Sequence, residues 1–122
     1  MAMNFYPEFD KYKKITLEDI ARIIQQNGDT YGEGLIFRAQ IDYTDRKRED
    51  YKIREIVGYC MKLYHEEVSV EGYLLTRNHE ANDLLKQLSD SKEVVTIKGS
   101  IDTENRNFII IEDISRTLLV NK

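Results

Sequence analysis

The stretch VVTIKGSIDTENRNFIIIEDI, Val94–Ile114, reads as two strands joined by a polar turn. Val95, Ile97 and Ile101 recur at alternate positions with Thr96, Lys98 and Ser100 between them, the period of a half-buried strand, and Gly99 stands in mid-strand. Thr103–Asn107 holds no apolar residue and predicts a turn, after which Phe108–Ser115 predicts a second strand. The last two strands are therefore expected at Glu93–Asp102 and Phe108–Ser115.

Upstream, Ala81, Leu84, Leu85 and Leu88 form one helical stripe, with Asn78 placed to cap it. Before that, Glu67–Thr76 predicts a strand burying Val68, Val70 and Leu74, with Gly72 on the same face. Tyr51–Tyr64 keeps apolar parity at Ile53, Val57, Tyr59, Met61 and Leu63 and breaks it at Glu55, the signature of a bulge or an exposed segment. Leu35–Thr44 alternates throughout, with Leu35, Phe37, Ala39, Ile41 and Tyr43 on one face and Ile36, Arg38, Gln40, Asp42 and Thr44 on the other. Between these two strands lies DRKREDY, Asp45–Tyr51, which predicts a charged hairpin turn. The segments EVSVEGYLLTRN and VVTIKGSIDTEN echo one another, and a shared need for a bendable mid-strand glycine accounts for this better than duplication.

At the front of the chain, Thr16 is placed to cap a helix by accepting from the Asp19 amide. Leu17, Ile20, Ala21, Ile23 and Ile24 make its apolar stripe, and Asn27-Gly28 predicts its end. The preceding arm carries Phe5, Tyr6, Phe9 and Tyr12, whose aromatic surface favours packing against the domain.

The order is helix, three strands, helix, two strands. This order, with glycines at Gly58, Gly72 and Gly99 where a small barrel must bend, resembles the OB fold, the oligonucleotide/oligosaccharide-binding superfamily. The resemblance covers roughly Gly34–Leu119, is one of fold, and includes no motif of a single family. It implies a mostly β, α+β chain: a five-stranded Greek-key barrel with an N-terminal helix and a helix between the third and fourth barrel strands. Residues 1–33 are then an arm and helix packed on a barrel of residues 34–122. The rival is another α+β arrangement of an antiparallel sheet with two packed helices.

Composition bounds function loosely. The 122 residues suffice for one domain. A formal charge of −4 argues against a protein that coats nucleic acid generally. The charge is uneven: residues 1–64 carry 11 basic and 11 acidic residues, residues 65–122 carry 7 and 11. Any anion-binding face is expected in the first half. The lone cysteine, Cys60, forbids an intrachain disulfide and suits a reducing cytoplasm, and no signal peptide or membrane-length apolar run is visible.

Catalytic constellations are hard to assemble. His65 and His79 lack partners at metal-ligand spacing, Cys60, on the wet-parity side of its strand or near a rim, reads as an inert thiol, and Glu112-Asp113 point to opposite faces of a strand. No cofactor is expected, and the glycines around Gly28–Gly34 spell no phosphate loop. The reading is a binding module, not an enzyme.

The OB resemblance implies a ligand lying across the second and third barrel strands, flanked by the first and last hairpins. On this sequence those hairpins are DRKRED and TENRN, and the implied phosphate contacts are Arg38, Arg46, Lys47, Arg48, Lys52, Arg54 and Arg106, with Tyr51 and Tyr73 stacking on bases of single-stranded DNA or RNA. Against this, Asp45, Glu49 and Asp50 cancel the three cations of the turn in formal count, which favours a solvated turn for that segment alone, and Glu71 would repel phosphate. The alternative is a protein-interaction adaptor or inhibitor that binds no nucleic acid. Neither reading involves a membrane or fixes an oligomeric state.

Overall fold

The structure is a computed structural model that describes residues 12–26, 33–48, 57–76, 80–102 and 107–116, with the backbone alone at 45–48 and 57. In chain order the elements are β1 (Lys13–Lys14), α1 (Leu17–Gln25), β2 (Leu35–Arg48), β3 (Val57–His65), β4 (Val68–Thr76), α2 (Ala81–Ser91), β5 (Val95–Ile101) and β6 (Phe108–Ser115).

Five of the six strands close a barrel. β2 pairs antiparallel with β3, β3 with β4, β4 parallel with β6, β6 antiparallel with β5, and β5 returns to β2. One long strand serves both seams: Leu35–Ala39 of β2 faces β5, and from Gln40 onward β2 faces β3. The mostly β, Greek-key barrel expected from the sequence is present, with one helix before it and one between β4 and β5.

The interior is filled as the alternation requires. Phe37, Ala39, Ile41, Tyr59, Met61, Leu63, Ile97, Ile101, Ile109 and Ile111 belong to one buried cluster. Each helix closes on that cluster. Thr16 caps α1 by accepting from the Asp19 amide at 3.1 Å, and Leu17 and Ile20 are buried among the barrel residues. From α2, Ala81, Leu85 and Leu88 enter the same core. There the Tyr43 amide donates to Ser89 Oγ at 3.0 Å, and the Tyr43 hydroxyl donates to Asn82 Oδ1. The Tyr43 and Tyr59 rings meet edge to face at 6.1 Å, so both tyrosines are core, as their parity indicated.

Several boundaries differ from expectation. DRKR is strand: the backbones of Arg46, Lys47 and Arg48 pair with Cys60, Tyr59 and Gly58. Strand pairing continues past the run of charge because two extra residues of β2 are absorbed between Asp42 and Arg46, after which the ladder resumes. Residues 49–56, and with them the suspected irregularity at Glu55, lie outside the described residues. α2 is capped at Glu80 without a side-chain hydrogen bond, not at Asn78, which also lies outside them. Its end is a left-handed Lys92 at φ 56°, whose amide donates to Leu88 O. Asn27-Gly28, the expected end of α1, is outside the described residues, and the helix stops at Gln25 with Gln26 as its cap.

Alternation did not disclose β1. Lys13 and Lys14 run parallel to Leu35 and Ile36, with the Lys13 amide donating to Gly34 O at 2.9 Å and the Ile15 amide to Ile36 O at 3.1 Å. The Tyr12 hydroxyl donates to Glu112 Oε1, and Lys98 Nζ lies 5.5 Å from the Tyr12 ring centre. The end of the aromatic arm is thus packed on the barrel; residues 1–11 lie outside the described residues.

Candidate nucleic-acid interface

The candidate face is the outer surface of β3 and β4. Cross-strand register builds it row by row. One row runs Arg46, Cys60, Tyr73, Ile110 and Ser100 across all five barrel strands. The next runs Asp42, Lys62, Glu71 and Phe108. The third is Gln40, Tyr64 and Ser69.

Charge on this face alternates. Lys62 is exposed between Asp42, also exposed, and the half-buried Glu71. Tyr64 is half-buried on the same face, and neither it nor Lys62 was picked out in the sequence. The signal was available in part: both share the outer parity of Cys60, whereas the pairing of Tyr64 with Gln40 comes from the ladder.

The expected site residues divide into four groups. Arg38 is exposed on the outer side of β2, in register with Thr96 of β5 and so on the other seam of the barrel from β4. Arg46, Lys47 and Arg48 are fixed in backbone register beside β3. Tyr51, Lys52, Arg54 and Arg106 lie outside the described residues. Tyr73 has the outward parity assigned to it but is only 4% exposed, so in this structure it offers no open platform to a base. Its ring is seated over Gly58, where the absent side chain leaves room. Cys60 has the outer parity that was one of its two expected positions, the other being a rim, but it is buried there.

The two hairpins leave the barrel at different levels. Arg48, the root of the first, is level through Gly58 with Leu75; Phe108, the root of the last, is level with Glu71. Four strand residues separate those levels, about 13 Å. The two roots stand on either side of the row containing Tyr73; the hairpin tips lie outside the described residues.

Among the described residues, no group of three or more His, Cys, Asp or Glu side chains is placed to hold a metal ion. No helix among them is long and apolar enough to cross a membrane.

No protein-family model matches the chain, and no curated protein matches it in sequence. Solved structures share its architecture at low identity. A chain of the Stn1–Ten1 complex of S. pombe is 16% identical, with 90% of this chain and 80% of that chain covered and a TM-score of 0.48. The telomere capping protein Ten1 from Saccharomyces pombe is 15% identical, with 90% and 85% covered and a TM-score of 0.49. A proposed aspartyl-tRNA synthetase from Leishmania major Friedlin is 11% identical, with 97% of this chain but 24% of that chain covered and a TM-score of 0.51. This last likeness joins the closed strand order and the parallel β4–β6 seam. The chain has the OB fold. At these identities the likeness is one of architecture alone.

Proposed function

We propose that this OB barrel binds single-stranded nucleic acid along the outer face of β3 and β4. The supporting observation is the conversion of DRKR from expected turn to strand. A cationic run in a free turn loses conformational freedom on binding phosphate, whereas the backbones of Arg46 and Arg48, in register with Cys60 and Gly58 and so of outer parity, are already ordered by ladder pairing; Lys47, in register with the core residue Tyr59, has the opposite parity. Lys62 adds an exposed cation on that face, and Tyr64 is an aromatic side chain half open to solvent. Lys52, Arg54 and Arg106 complete the phosphate contacts of this reading, with Tyr51 as a stacking partner; Arg38, on the β2–β5 seam, stands apart from them.

A second reading has its own support. The row Asp42, Lys62, Glu71 places a carboxylate on each side of the cation, a pattern better matched to a protein surface of mixed charge than to a polyanion. In that case the barrel is a protein-interaction adaptor or inhibitor.

Fluorescence anisotropy with labelled dT and rU oligomers at low salt separates the two. If three or four cations meet single-strand phosphates, log K falls against log salt with a slope of about −2 to −3. Replacing Arg46, Lys47 and Arg48 together with alanine is expected to remove most of the binding. Absence of binding at high protein concentration, or affinity indifferent to salt, would overturn the nucleic-acid reading and leave the adaptor.

A further inference from the structure

Among the described residues, closure of the barrel leaves one part of β2 without a strand on one side. β3 reaches β2 only at Gln40, opposite Tyr64, and β1 covers only Leu35 and Ile36. Continued straight, β1 would next run beside Phe37 and Arg38. Instead the chain turns away at Thr16 to begin α1. A groove of about 460 Å³ occupies the lane so vacated, between the start of α1 and the His65–Glu66 turn.

Backbone polarity in this lane follows from the ladder. The Gly34 and Ile36 carbonyls accept from β1, so alternation turns the Arg38 peptide groups toward the same side, away from β5 and into the groove. The walls are apolar at Ile15, Leu17, Ile36 and Val94. The rim carries Lys14 and Arg38, both exposed, and the His65 imidazole. Among the described residues neither Lys14 nor Arg38 is engaged by a carboxylate. Two acids, Glu18 and Glu66, also border the groove; one sits in the first turn of α1, where the helix dipole favours it, and the other at the tip of the β3–β4 turn.

We propose that this groove captures the free C-terminus of another polypeptide. The lane spans three residues of β2, roughly 10 Å, and is blocked at one end by the turn into α1 and at the other by β3, so a strand running through it does not fit whereas a chain end does. The last peptide unit pairs with the Arg38 backbone, the terminal apolar side chain packs on Ile15, Leu17 and Val94, and the carboxylate meets Lys14 and the Arg38 guanidinium. The site lies on the β1–β2 side of the barrel and does not depend on nucleic acid binding at β3 and β4.

The test is a heteronuclear NMR titration of the ¹⁵N-labelled full chain with a pool of synthetic hexapeptides ending in free Leu, Ile or Val. Shifts are expected at the amides of residues 15–17 and 36–40. Capping the same peptides as C-terminal amides is expected to weaken binding roughly tenfold or more, the loss of a charge-assisted contact. Lys14→Glu is expected to weaken the free-acid pool and not the amidated one; Val94→Trp, checked for folding by its amide dispersion, is expected to block the groove. No shifts at millimolar peptide, equal response to acid and amide, or displacement of the peptides by a dT oligomer shifting the same amides would each overturn the proposal. The wild-type comparison of acid with amide decides the matter even if either variant fails to fold.

Discussion

The Tyr73 ring lies over Gly58, so close that a Cβ on Gly58 would stand 2.3 Å from the phenol oxygen. The two residues are diagonal neighbours across the β3–β4 ladder, where Cys60 is the direct partner of Tyr73. The glycine lets a large ring lie down on the sheet, and the ring covers backbone that a glycine would otherwise leave bare. This explains why a tyrosine of outward parity is buried.

Gly58→Ala must therefore displace a buried ring, at a cost of about 1–3 kcal/mol. Thermal or urea unfolding of Gly58→Ala, Tyr73→Ala and the double variant checks it. The double variant is expected to be less destabilised than the sum of the singles, because removing the ring removes the clash. Strict additivity would show that the overlap carries no energy.

Gly99→Ala is expected to be the more damaging of the two glycine substitutions. Its Cβ would sit 2.3 Å from the Ile110 carbonyl oxygen, at the register shift between β5 and β6. A side chain can rotate aside, but this neighbour is backbone held in the ladder. Unfolding midpoints of the two variants, measured side by side, give the comparison.

Removal of the Tyr43 hydroxyl tests how α2 is held to the barrel. Tyr43→Phe keeps the packing against Tyr59 and loses the contact to Asn82, so a destabilisation of about 0.5–1.5 kcal/mol is expected. Asn82→Ala alone should cost a similar amount, and the pair should cost little more than either, as read from unfolding in urea.

Among the described residues, two non-glycine residues adopt left-handed backbone: Lys92 at φ 56°, ending α2, and Glu66 at φ 58°, in the turn between β3 and β4. Lys92→Gly relieves that conformation while its carbonyl remains free to accept from Gln40 Nε2. It is expected to raise stability by up to about 1 kcal/mol. A fall in melting temperature on this change would contradict the assignment of strain to that residue.

Much of the architecture was legible because period is a local property. Val95, Ile97 and Ile101 announce a strand, and Leu85 and Leu88 a helical stripe, since a side chain's face follows from position along its own element. The Thr16 cap was readable for the same reason, its partner being three residues away. The DRKR strand was not: its charges resemble a turn, and only pairing with Gly58–Cys60 forces them into extension. Nor was β1, since two lysines beside an aromatic carry no period, and their order comes from the open edge of β2.

The candidate face divides in the same way. Outward parity at Lys62, Tyr64 and Tyr73 was written in the alternation. Whether an outward residue is open depends on what lies across the strand, and there Gly58 decides Tyr73.

By itself the sequence determined which residues are extended, which are helical and which side of each element is greasy, because those depend on neighbours within a few positions. Only the tertiary structure decided which cations share a level, which tyrosine is covered and where a strand edge is left open, because those depend on contacts between residues far apart in the chain, set when β5 and β6 close against β2 and β4.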